Sequence, residues 1–269
     1  MEITQEEFKQ LAQYIHKNFG IYLKDEKKTL LTGRLSTVLE QKGYKNFSEF
    51  YSHVVSDATG KTANLLISRI STNYSFFMRE SQHFYYLRDH VLPHFEKELA
   101  NRDLYVWCAA CATGEEAYTL AFILEDYFRD KPGWDKKVLA TDISDKALET
   151  AQSGTYEKSK VDPVPGIWRL NYFDRTDDGS YAVKSKIKKE VLFRKFNLVS
   201  NSFAYRNKFH VIFLRNVMIY FDRPTKIKLL GNMYDAMAPG GYLFIGHTEA
   251  IGPDESRFKY VMPAVYRKV

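Results

Sequence analysis

Apolar residues return every three or four positions through the first seventy residues, which is the spacing of amphipathic helices. The first run follows a capping-box pattern at Thr4 to Glu7. Phe19 is its last apolar residue, and Gly20 is predicted to terminate the helix. The same spacing predicts a second helix from Asp25 to Lys42 and a fourth from Thr62 to Arg69. Between them, a second capping pattern at Asn46 to Glu49 marks the start of a third helix. Residues 1–72 are therefore predicted to form an all-helical N-terminal domain.

The second predicted helix is expected to bury one face and to expose a basic one. The residues expected to face inward are Leu30, Leu31, Leu35, Val38 and Leu39. The cations on and near this helix are Lys24, Lys27, Lys28, Arg34, Lys42 and Lys45. Such a run is either a solvated face or a docking surface for an acidic partner, and the charge pattern alone leaves both open.

The helical pattern breaks at Ser71 to Glu80, which is polar and then aromatic and is predicted to link two domains. A helix is predicted from Gln82 to Ala100, so residues 73–103 form the linker and a lead-in helix. From residue 104 onward strand and helix signals alternate, which indicates a doubly wound α/β sheet with helices on both faces.

Two segments within residues 104–269 depart from this alternation. The last two strand-like runs, Phe258 to Met262 and Val265 to Lys268, are predicted to pair as an antiparallel hairpin at the edge of the sheet. Residues 171–196 alternate in hydrophobicity around turn residues at Asp177 to Gly179. We expect this segment to be a small inserted β-subdomain.

One stretch, Leu104 to Phe122, passes from an apolar strand through small residues and Gly114 into a helical pattern. Such a turn at the end of a strand is how open α/β sheets build a cofactor pocket. Asp142 closes the next predicted strand, where an acid typically accepts the hydroxyls of a ribose. The turn lacks the three-glycine fingerprint that accommodates a pyrophosphate. The pattern therefore favours a nucleoside ligand such as S-adenosylmethionine over NAD.

Two acids, Glu115 and Glu116, open the helix after this turn. Acids at this position stabilise the helix by interacting favourably with its dipole, and they repel a phosphate. We also expect the pair to face the positive end of S-adenosylmethionine. Other polar side chains expected at the pocket are Arg79 in the linker and Arg215, Asn216 and Tyr220 after a later apolar strand.

Cys108 and Cys111 form a CxxC pattern at the same turn. A thioredoxin-like redox pair and a zinc site are the alternatives to small buried filler, but no second cysteine pair accompanies them and filler is the favoured interpretation. His90 and His94 have metal-like spacing, yet Pro93 lies between them and no third ligand is evident. No metal site is predicted.

Composition adds information on charge and compartment. The 269 residues include 39 lysines and arginines against 33 acids, a formal charge of +6, which allows an acidic protein partner or a nucleic acid. No basic stripe interleaved with aromatic residues is present, so no nucleic-acid partner is expected. The sequence has no apolar run of transmembrane length, and its N-terminus is acidic, unlike a signal peptide. A cytoplasmic protein without membrane insertion is predicted.

Taken in order, these motifs resemble the CheR-type chemoreceptor glutamate O-methyltransferases. The segments that carry the resemblance are Thr72 to Glu80, Trp107 to Glu116, Ala140 to Ile143, Ala151 to Tyr156, Phe196 to Leu198, Phe213 to Phe221 and Gly246 to Glu249. The resemblance covers nearly the whole chain, the helical domain included, and the ordered set is more specific than any single motif. It implies a Rossmann-like class I methyltransferase sheet in residues 104–269.

The resemblance also implies an activity: methyl transfer from S-adenosylmethionine to glutamate side chains on the cytoplasmic helices of transmembrane chemoreceptors, leaving S-adenosylhomocysteine. The implied cofactor-binding residues are Asn73, Ser75 and Arg79 over the cofactor, Glu116 and Asp142 at its amino acid or ribose portions, Asn197 and Leu198 beside the adenine, and Arg215 and Asn216. Arg79 and Tyr220 are the predicted catalytic residues. Arg79 is expected to orient the attacking carboxylate; the alternative is a structural ion pair with Glu80 or Glu116.

One segment departs from some relatives, in which a glycine-rich loop of the β-subdomain tethers a peptide at the receptor C-terminus. Here Arg175 to Tyr181 contains a single glycine, so no pentapeptide tether is expected. The expected form is a monomer. A nucleic-acid methyltransferase and an adaptor that binds receptor without transferring methyl are rival classes. Retention of Arg79, Asp142, Arg215 and Asn216 argues against the adaptor.

Overall fold

The N-terminal helices form where the capping signals place them. The computed structural model describes residues 1–200, 203, 205 and 207–269. Its first unit contains the helices α1 (Gln5–Phe19), α2 (Lys28–Gln41), α3 (Phe47–Ser56) and α4 (Lys61–Ile70). The Thr4 hydroxyl accepts a hydrogen bond from the Glu7 N–H (3.2 Å), and the Glu7 carboxylate accepts one from the Thr4 N–H (2.9 Å). The predicted capping box is confirmed.

Helix α2 exposes one residue that was expected to be inside. A 3₁₀ turn at Asp25–Lys27 precedes the helix. Its buried side carries Leu31, Leu35, Val38 and Leu39. The inward position predicted for Leu30 is wrong, because successive side chains point about 100° apart around a helix and Leu31 occupies the buried direction. Leu30 lies on the side that lines a cleft between the helices and the sheet.

The helix predicted for residues 82–100 is present as one continuous helical segment over residues 82–98, with a π-helical turn in its middle. The chain runs through α5 (Gln82–Tyr86), a π-helical turn (Leu87–Val91) and α6 (Leu92–Glu98). Pro93 explains this turn, since it has no N–H to donate and its ring would clash with the Asp89 carbonyl in a regular helix. The wider π turn directly before Pro93 accommodates the proline within the helical segment.

The remaining elements alternate as a doubly wound sheet requires. The strands are β1 (Val106–Cys108), β2 (Val138–Asp142), β3 (Thr155–Tyr156), β4 (Phe173–Arg175), β5 (Tyr181–Val183), β6 (Val191–Lys195), β7 (Phe209–Leu214), β8 (Met237–Ile245), β9 (Lys259–Met262) and β10 (Val265–Arg267). The helices are α7 (Glu115–Phe128), α8 (Asp145–Ser153), α9 (Lys158–Val161), α10 (Gly166–Tyr172), α11 (Ser185–Lys188) and α12 (Arg223–Ala236). The predicted fold class is confirmed.

The main sheet has the order β6-β2-β1-β7-β8-β10-β9 within the described residues. Strands β6, β2, β1, β7 and β8 are parallel, and β10 runs antiparallel to both of its neighbours. Both faces of the central strands are covered, since Val106 and Phe213 pack in one apolar cluster while Trp107 and Ile212 pack in another. Strand order reverses between β1 and β7, so a crevice opens at their carboxyl ends.

The inserted β-subdomain does not coincide with the predicted residues 171–196. Its sheet, in the order β3-β5-β4 among the described residues, includes Thr155–Tyr156 from outside that range. Strand β6, Val191–Lys195, instead joins the main sheet beside β2. The alternation that suggested an insertion arises because β6 is an edge strand with one exposed face.

The helices of the described residues are short. The longest, α1, has 15 residues, whereas a bilayer core needs roughly 20 predominantly apolar ones. No helix in the described part of the chain has the length and apolar character to cross a membrane.

Candidate active site

A cleft of about 400 Å³ opens between the helical domain, the linker and the carboxyl ends of β1, β2 and β7. This volume lies in the range of small-molecule sites, roughly 300–1,000 Å³. Except for Glu115, the site residues predicted from the sequence line it: Asn73, Ser75, Arg79, Glu116, Asp142, Asn197, Leu198, Arg215, Asn216 and Tyr220. The fold thus brings residues of the linker, the sheet and two loops into one cavity.

The turn between β1 and α7 brings backbone close to the cleft. Three alanines of the turn line the cavity: Ala109, Ala110 and Ala112. Gly114 has a φ of +97°, and a Cβ at this position would lie 2.8 Å from the Ala151 Cβ and 2.9 Å from the Tyr156 hydroxyl. The glycine therefore serves the packing of α7 against α8, and the alanines give a ligand access to the backbone.

Asp142 ends β2 with its carboxylate in the cleft. One oxygen accepts a hydrogen bond from the Ala112 N–H (2.9 Å) and the other from the Ser144 N–H (2.9 Å). Burial raises the pKa of Asp142, and the backbone N–H groups of Ser144, Ala112 and Ile143 oppose that rise. Because each carboxylate oxygen retains a free lone pair, the group can still accept two hydroxyls, as ribose recognition requires.

The linker lies against this end of the sheet. The Asn73 side-chain amide is 3.4 Å from the hydroxyl of Ser144, the residue that caps α8. Asn73 and Ser75 both line the cleft. The linker therefore covers the Asp142 side of the cavity.

Arg215 is nearly fully buried and joins the two sides of the cleft. Its Nη1 donates to Glu116 Oε2 (2.6 Å), and its Nη2 donates to Glu80 Oε2 (2.9 Å) and to the Arg79 carbonyl (2.5 Å). Two carboxylates thus compensate one buried guanidinium, which an interior of low dielectric constant requires. The Arg215 Nε is buried without an acceptor among the described residues.

Glu80 is a site residue that the sequence prediction missed. Besides Arg215, its carboxylate accepts bonds from the His247 N–H (3.1 Å) and the Asn216 side-chain amide (3.2 Å). Burial would raise the pKa of Glu80, but the Arg215 charge and these donors hold it below its ordinary value. The available signal was an acid directly after Arg79, in a linker where it caps no helix.

Arg79 forms neither of the ion pairs considered as alternatives, since both Glu80 and Glu116 pair with Arg215. Its Nη1 donates to the Tyr74 carbonyl (2.9 Å). Its guanidinium carbon lies 5.8 Å from the Tyr74 ring centroid and 5.9 Å from that of Phe76. Arg79 is therefore a cation held on aromatic faces, and within the described ranges no carboxylate pairs with it.

A buried carboxylate shapes the loop after β7. Glu249 accepts hydrogen bonds from the N–H groups of Asn216 (2.9 Å), Gly246 (2.6 Å) and Met218 (2.7 Å). Burial raises the pKa of Glu249 despite these donors. Asn216 adopts a φ of +56°, an unfavourable conformation for a residue with a side chain, and the Glu249 bonds hold it there. The sequence motif contained Glu249, but its role was not predicted.

The helical domain completes the cavity through backbone contacts. The Tyr22 N–H donates to the Tyr220 carbonyl (2.9 Å). The Asn197 side-chain amide donates to the Asn18 carbonyl (2.8 Å) near the end of α1. Tyr220 and Asn197 therefore lie where the helical domain meets the sheet domain.

Glu115 points away from the cleft, so the expectation that both acids face a cofactor is wrong for this residue. Its fully buried carboxylate accepts bonds from the Thr113 hydroxyl (2.7 Å) and the Lys160 ammonium (2.8 Å). Glu116 lies in the cavity. Neighbouring side chains at a helix start diverge by about 100°, so only one of two adjacent acids can face the ligand.

The two cysteines are buried free thiols. Burial, followed by the nearby carboxylates, raises the pKa of Cys108 and of Cys111 well above the ordinary value. A redox-active cysteine needs a lowered pKa and access to solvent. The structure therefore agrees with their interpretation as filler.

Behind the cavity, Glu80, His83 and His247 place potential donor atoms within 4.8 Å of one another. Burial, then the charges of Arg215 and His247, lowers the pKa of His83 to about 3. Because Glu80 already compensates Arg215, a metal cation there would compete with the guanidinium. We assign this cluster a structural role.

The cavity suits a nucleoside with a cationic end. Asp142 offers acceptors for a ribose, Glu116 offers a carboxylate for a cation, and the alanine turn provides no phosphate cradle. The Arg215 Nε, which has no acceptor among the residues that the structure describes, is a further buried donor at this cavity. A doubly wound sheet with such a cavity at its switch point defines a Rossmann-like methyltransferase of class I.

Comparison with known proteins specifies the family. Residues 73–266 match the CheR methyltransferase SAM binding domain, and residues 6–71 match the CheR methyltransferase all-alpha domain. The chain belongs to the CheR methyltransferase family and is an S-adenosylmethionine-dependent methyltransferase, so the predicted cofactor and enzyme class are confirmed.

Individual chemotaxis methyltransferases are similar to this chain over almost its whole length. The chemotaxis protein methyltransferase of Borreliella burgdorferi is 38% identical over all of this chain and 96% of its own. That of Escherichia coli is 32% identical over 99% of this chain and 92% of its own. Among solved structures, a TehB-like SAM-dependent methyltransferase from Corynebacterium glutamicum is 15% identical over 66% of this chain and 73% of its own, with a TM-score of 0.32.

Proposed function

We propose that this enzyme methylates glutamate side chains on the cytoplasmic helices of chemoreceptors, and so acts in the cytoplasm in chemotactic adaptation. The names of its relatives as chemotaxis protein methyltransferases support a chemoreceptor substrate. The observation that carries the proposal is Arg79, a cation with no carboxylate partner among the described residues, in a cavity lined by the acids Glu116 and Asp142. A cation suits a carboxylate substrate, and the acids suit a cationic cofactor.

The reaction needs positioning rather than acid–base catalysis. When bound, S-adenosylmethionine supplies a methyl group on a positively charged sulfur and leaves as the neutral thioether S-adenosylhomocysteine. A glutamate carboxylate has an ordinary pKa of roughly 4.3, so at neutral pH it is already the nucleophile. Orientation can supply on the order of 7–11 kcal/mol of a barrier at best.

The residues of this chain divide that positioning between cofactor and substrate. Arg79 holds the attacking carboxylate through the N–H groups that it does not give to Tyr74, and Tyr220 lines the same space. Glu116, fixed by Arg215, faces the cationic amino acid end. The remaining predicted contacts are Asp142 to the ribose, Asn197 and Leu198 beside the adenine, and Asn73, Ser75 and Asn216 around the cofactor.

Substitution of Arg79 tests its role. Arg79→Ala is expected to lower kcat/KM for receptor methylation about 100-fold or more, because misplacement of a reacting group costs this much, and Arg79→Lys is expected to retain part of the activity. The matched control is Arg88→Ala, since Arg88 is another partly exposed arginine over a tyrosine ring. Near-wild-type turnover by a folded Arg79→Ala enzyme contradicts the assignment.

The function itself is tested by tritiated methyl transfer to soluble cytoplasmic fragments of chemoreceptors. We expect label in the fragment that is released by mild base, as a glutamate methyl ester requires. Label that resists base, or that enters nucleic acid instead of protein, contradicts the proposal.

Two expectations concern assembly. The loop at Arg175 to Tyr181 contains only Gly179, so titration with a receptor C-terminal pentapeptide is expected to show no binding at micromolar concentration. The monomeric state is tested by light scattering of the purified enzyme.

A further inference from the structure

Exposed hydrophobic side chains surround the cleft that holds the predicted active site. They come from separate parts of the chain: Tyr22 and Leu30 from the helical domain, Tyr74 from the linker and Ile219 from the loop after β7. Their exposed fractions are 52%, 42%, 68% and 50%. Single exposed apolar residues are ordinary on a protein surface. Apolar residues gathered from three segments at one cavity mark a binding surface.

We call Tyr22, Leu30, Tyr74 and Ile219 the cleft rim. Their solvent exposure distinguishes them from the buried bottom of the cavity, which we call the floor and which contains Glu116 and Asp142. Both acids are mostly buried. Glu116 pairs with Arg215, and Asp142 accepts hydrogen bonds from the backbone N–H groups of Ala112 and Ser144. The rim therefore remains available for a second molecule when the floor is filled.

The charges around the rim define what that molecule must be. Lys27 lines the cleft and is exposed. Arg79 lies beside Tyr74 and has no carboxylate partner among the described residues. Arg34 also lines the cavity, with its guanidinium bonded to the Thr72 hydroxyl (3.0 Å). A surface that is both apolar and cationic is complementary to a segment that is both apolar and acidic.

We propose that the cleft rim recognises apolar residues one helical turn from the target glutamate on an amphipathic acidic helix. This inference rests on the proposed function and names the local substrate sequence. Residues three or four apart on a helix share a face at about 5–6 Å. When a glutamate reaches Arg79, the side chains one turn before and after it meet the rim. Apolar anchors at this spacing are how amphipathic helices dock in grooves.

Rim variants test the enzyme side of this contact. Ile219→Ser and Leu30→Ser are expected to raise KM for a receptor fragment about five- to tenfold each, because loss of an apolar anchor weakens docking by about that factor. Their kcat and their affinity for S-adenosylhomocysteine should stay within about twofold of wild type. The matched control is Leu170→Ser on α10, because Leu170 is 74% exposed and does not line the cleft.

Substrate variants test the other side. Once mass spectrometry has located a methylated glutamate, the residues four positions before and after it are changed to Asn. Wild-type enzyme should then show the same rise in KM as Ile219→Ser, and the rim and substrate changes together should cost little more than either alone. Additive effects overturn the inference.

The outcomes separate this inference from the function on which it rests. If wild-type enzyme methylates no receptor fragment, the proposed function fails. If it methylates the fragment while the rim variants behave like Leu170→Ser, the rim inference fails and the function stands. Rim variants that lose S-adenosylhomocysteine affinity in parallel with KM would place these residues in the cofactor pocket and also overturn the inference.

Discussion

The residue that organises the cavity is Arg215, because its buried charge fixes two acids from different segments. Glu116 comes from the start of α7 and Glu80 from the linker, and both meet the same guanidinium. Glu80 adopts a φ of +55° and Asn216 a φ of +56°. Left-handed backbone at non-glycine residues persists only where surrounding contacts over-determine it, and such strain is concentrated at functional sites.

Glu80→Gln tests whether this network supports the fold as well as the site. The change keeps the shape of the side chain and leaves Arg215 with one carboxylate. We expect the free energy of unfolding to fall by about 2–4 kcal/mol, because removal of one partner strands part of a buried charge. Glu255→Gln, which breaks a pair with the exposed Arg223, should cost less than about 1 kcal/mol. Urea unfolding measures both, and equal losses would contradict the burial argument.

His83 makes stability depend on pH in a defined direction. Its pKa in the fold is about 3, against an ordinary value of 6.5, with burial as the main cause and Glu80, Arg215 and His247 as its charged neighbours. Below roughly pH 6.5 the unfolded chain binds a proton that folded His83 does not, so stability falls toward acid by up to about 1.4 kcal/mol per pH unit.

The variant His83→Phe retains an aromatic ring and removes the titration. The difference in unfolding free energy between wild type and variant should shrink by about 2–3 kcal/mol from pH 7 to pH 4. Acids with raised pKa, such as Asp142, contribute with the opposite sign, but they are present in both proteins and cancel. A pH-independent difference would show that His83 does not titrate as assigned.

At the scale of elements, the turn into α7 shows how small residues fix the position of a helix. Gly114→Ala places a Cβ in left-handed backbone against Ala151 and Tyr156. We expect a loss of about 2–3 kcal/mol in unfolding free energy. Gly33→Ala in α2 is the control. Apart from its own helix backbone and chain neighbours, no atom of the described residues lies within 4 Å of its Cβ position, and a helical alanine should stabilise by about 0.5–1 kcal/mol. A Gly114→Ala protein as stable as wild type contradicts the packing argument.

Elements with strong local signals could be predicted from the sequence, whereas those set by tertiary neighbours could not. The helix after the small-residue turn and the strand that Asp142 closes could be predicted from apolar periodicity and turn residues, and the structure contains them as α7 and β2. Strand β6 was assigned to the insertion because an edge strand and a hairpin strand alternate alike. The π turn before Pro93 was missed because periodicity cannot show a widened helical turn.

The same distinction applies to the site. Residues at strand ends, such as Asp142 and Arg215, could be predicted because topology places strand ends together. Glu80 and Glu249 could not, because their partners lie 135 and 33 residues away along the chain. Which of Glu115 and Glu116 faces the ligand also depends on how α7 is rotated against the sheet.

At the scale of the whole molecule, the net charge is +6. Near the cleft, Lys24, Lys27 and Lys28 are interspersed with Asp25 and Glu26, so the local excess is modest. Charge of this kind steers an acidic partner and is screened over about 8 Å at physiological salt. This charge should therefore affect the rate of association with the receptor more than it affects kcat.

Reversal of Lys27 and Lys28 to Glu tests this steering. We expect KM for a receptor fragment to rise about three- to tenfold in 20 mM salt, with kcat unchanged, and the effect to fade by about 500 mM salt. The control reverses two exposed lysines that do not line the cleft, Lys97 and Lys137, and so changes net charge equally. Equal effects of the two pairs, or none at low salt, would contradict a docking role for this face.

The end of α1 carries a consequence for how this enzyme can be recombined. Ile21 pairs with Phe221 in an antiparallel bridge, and the adjacent Tyr22 N–H binds the Tyr220 carbonyl. A chimera joined at residue 72 that carries the helical domain of another protein would also replace Ile21 and Tyr22, which make these contacts with the loop after β7. A chimera intended to change receptor choice should therefore retain residues 20–22 of the recipient. The exchangeable module is discontinuous in sequence, because one of its boundaries lies directly after the first helix and the other lies in the linker.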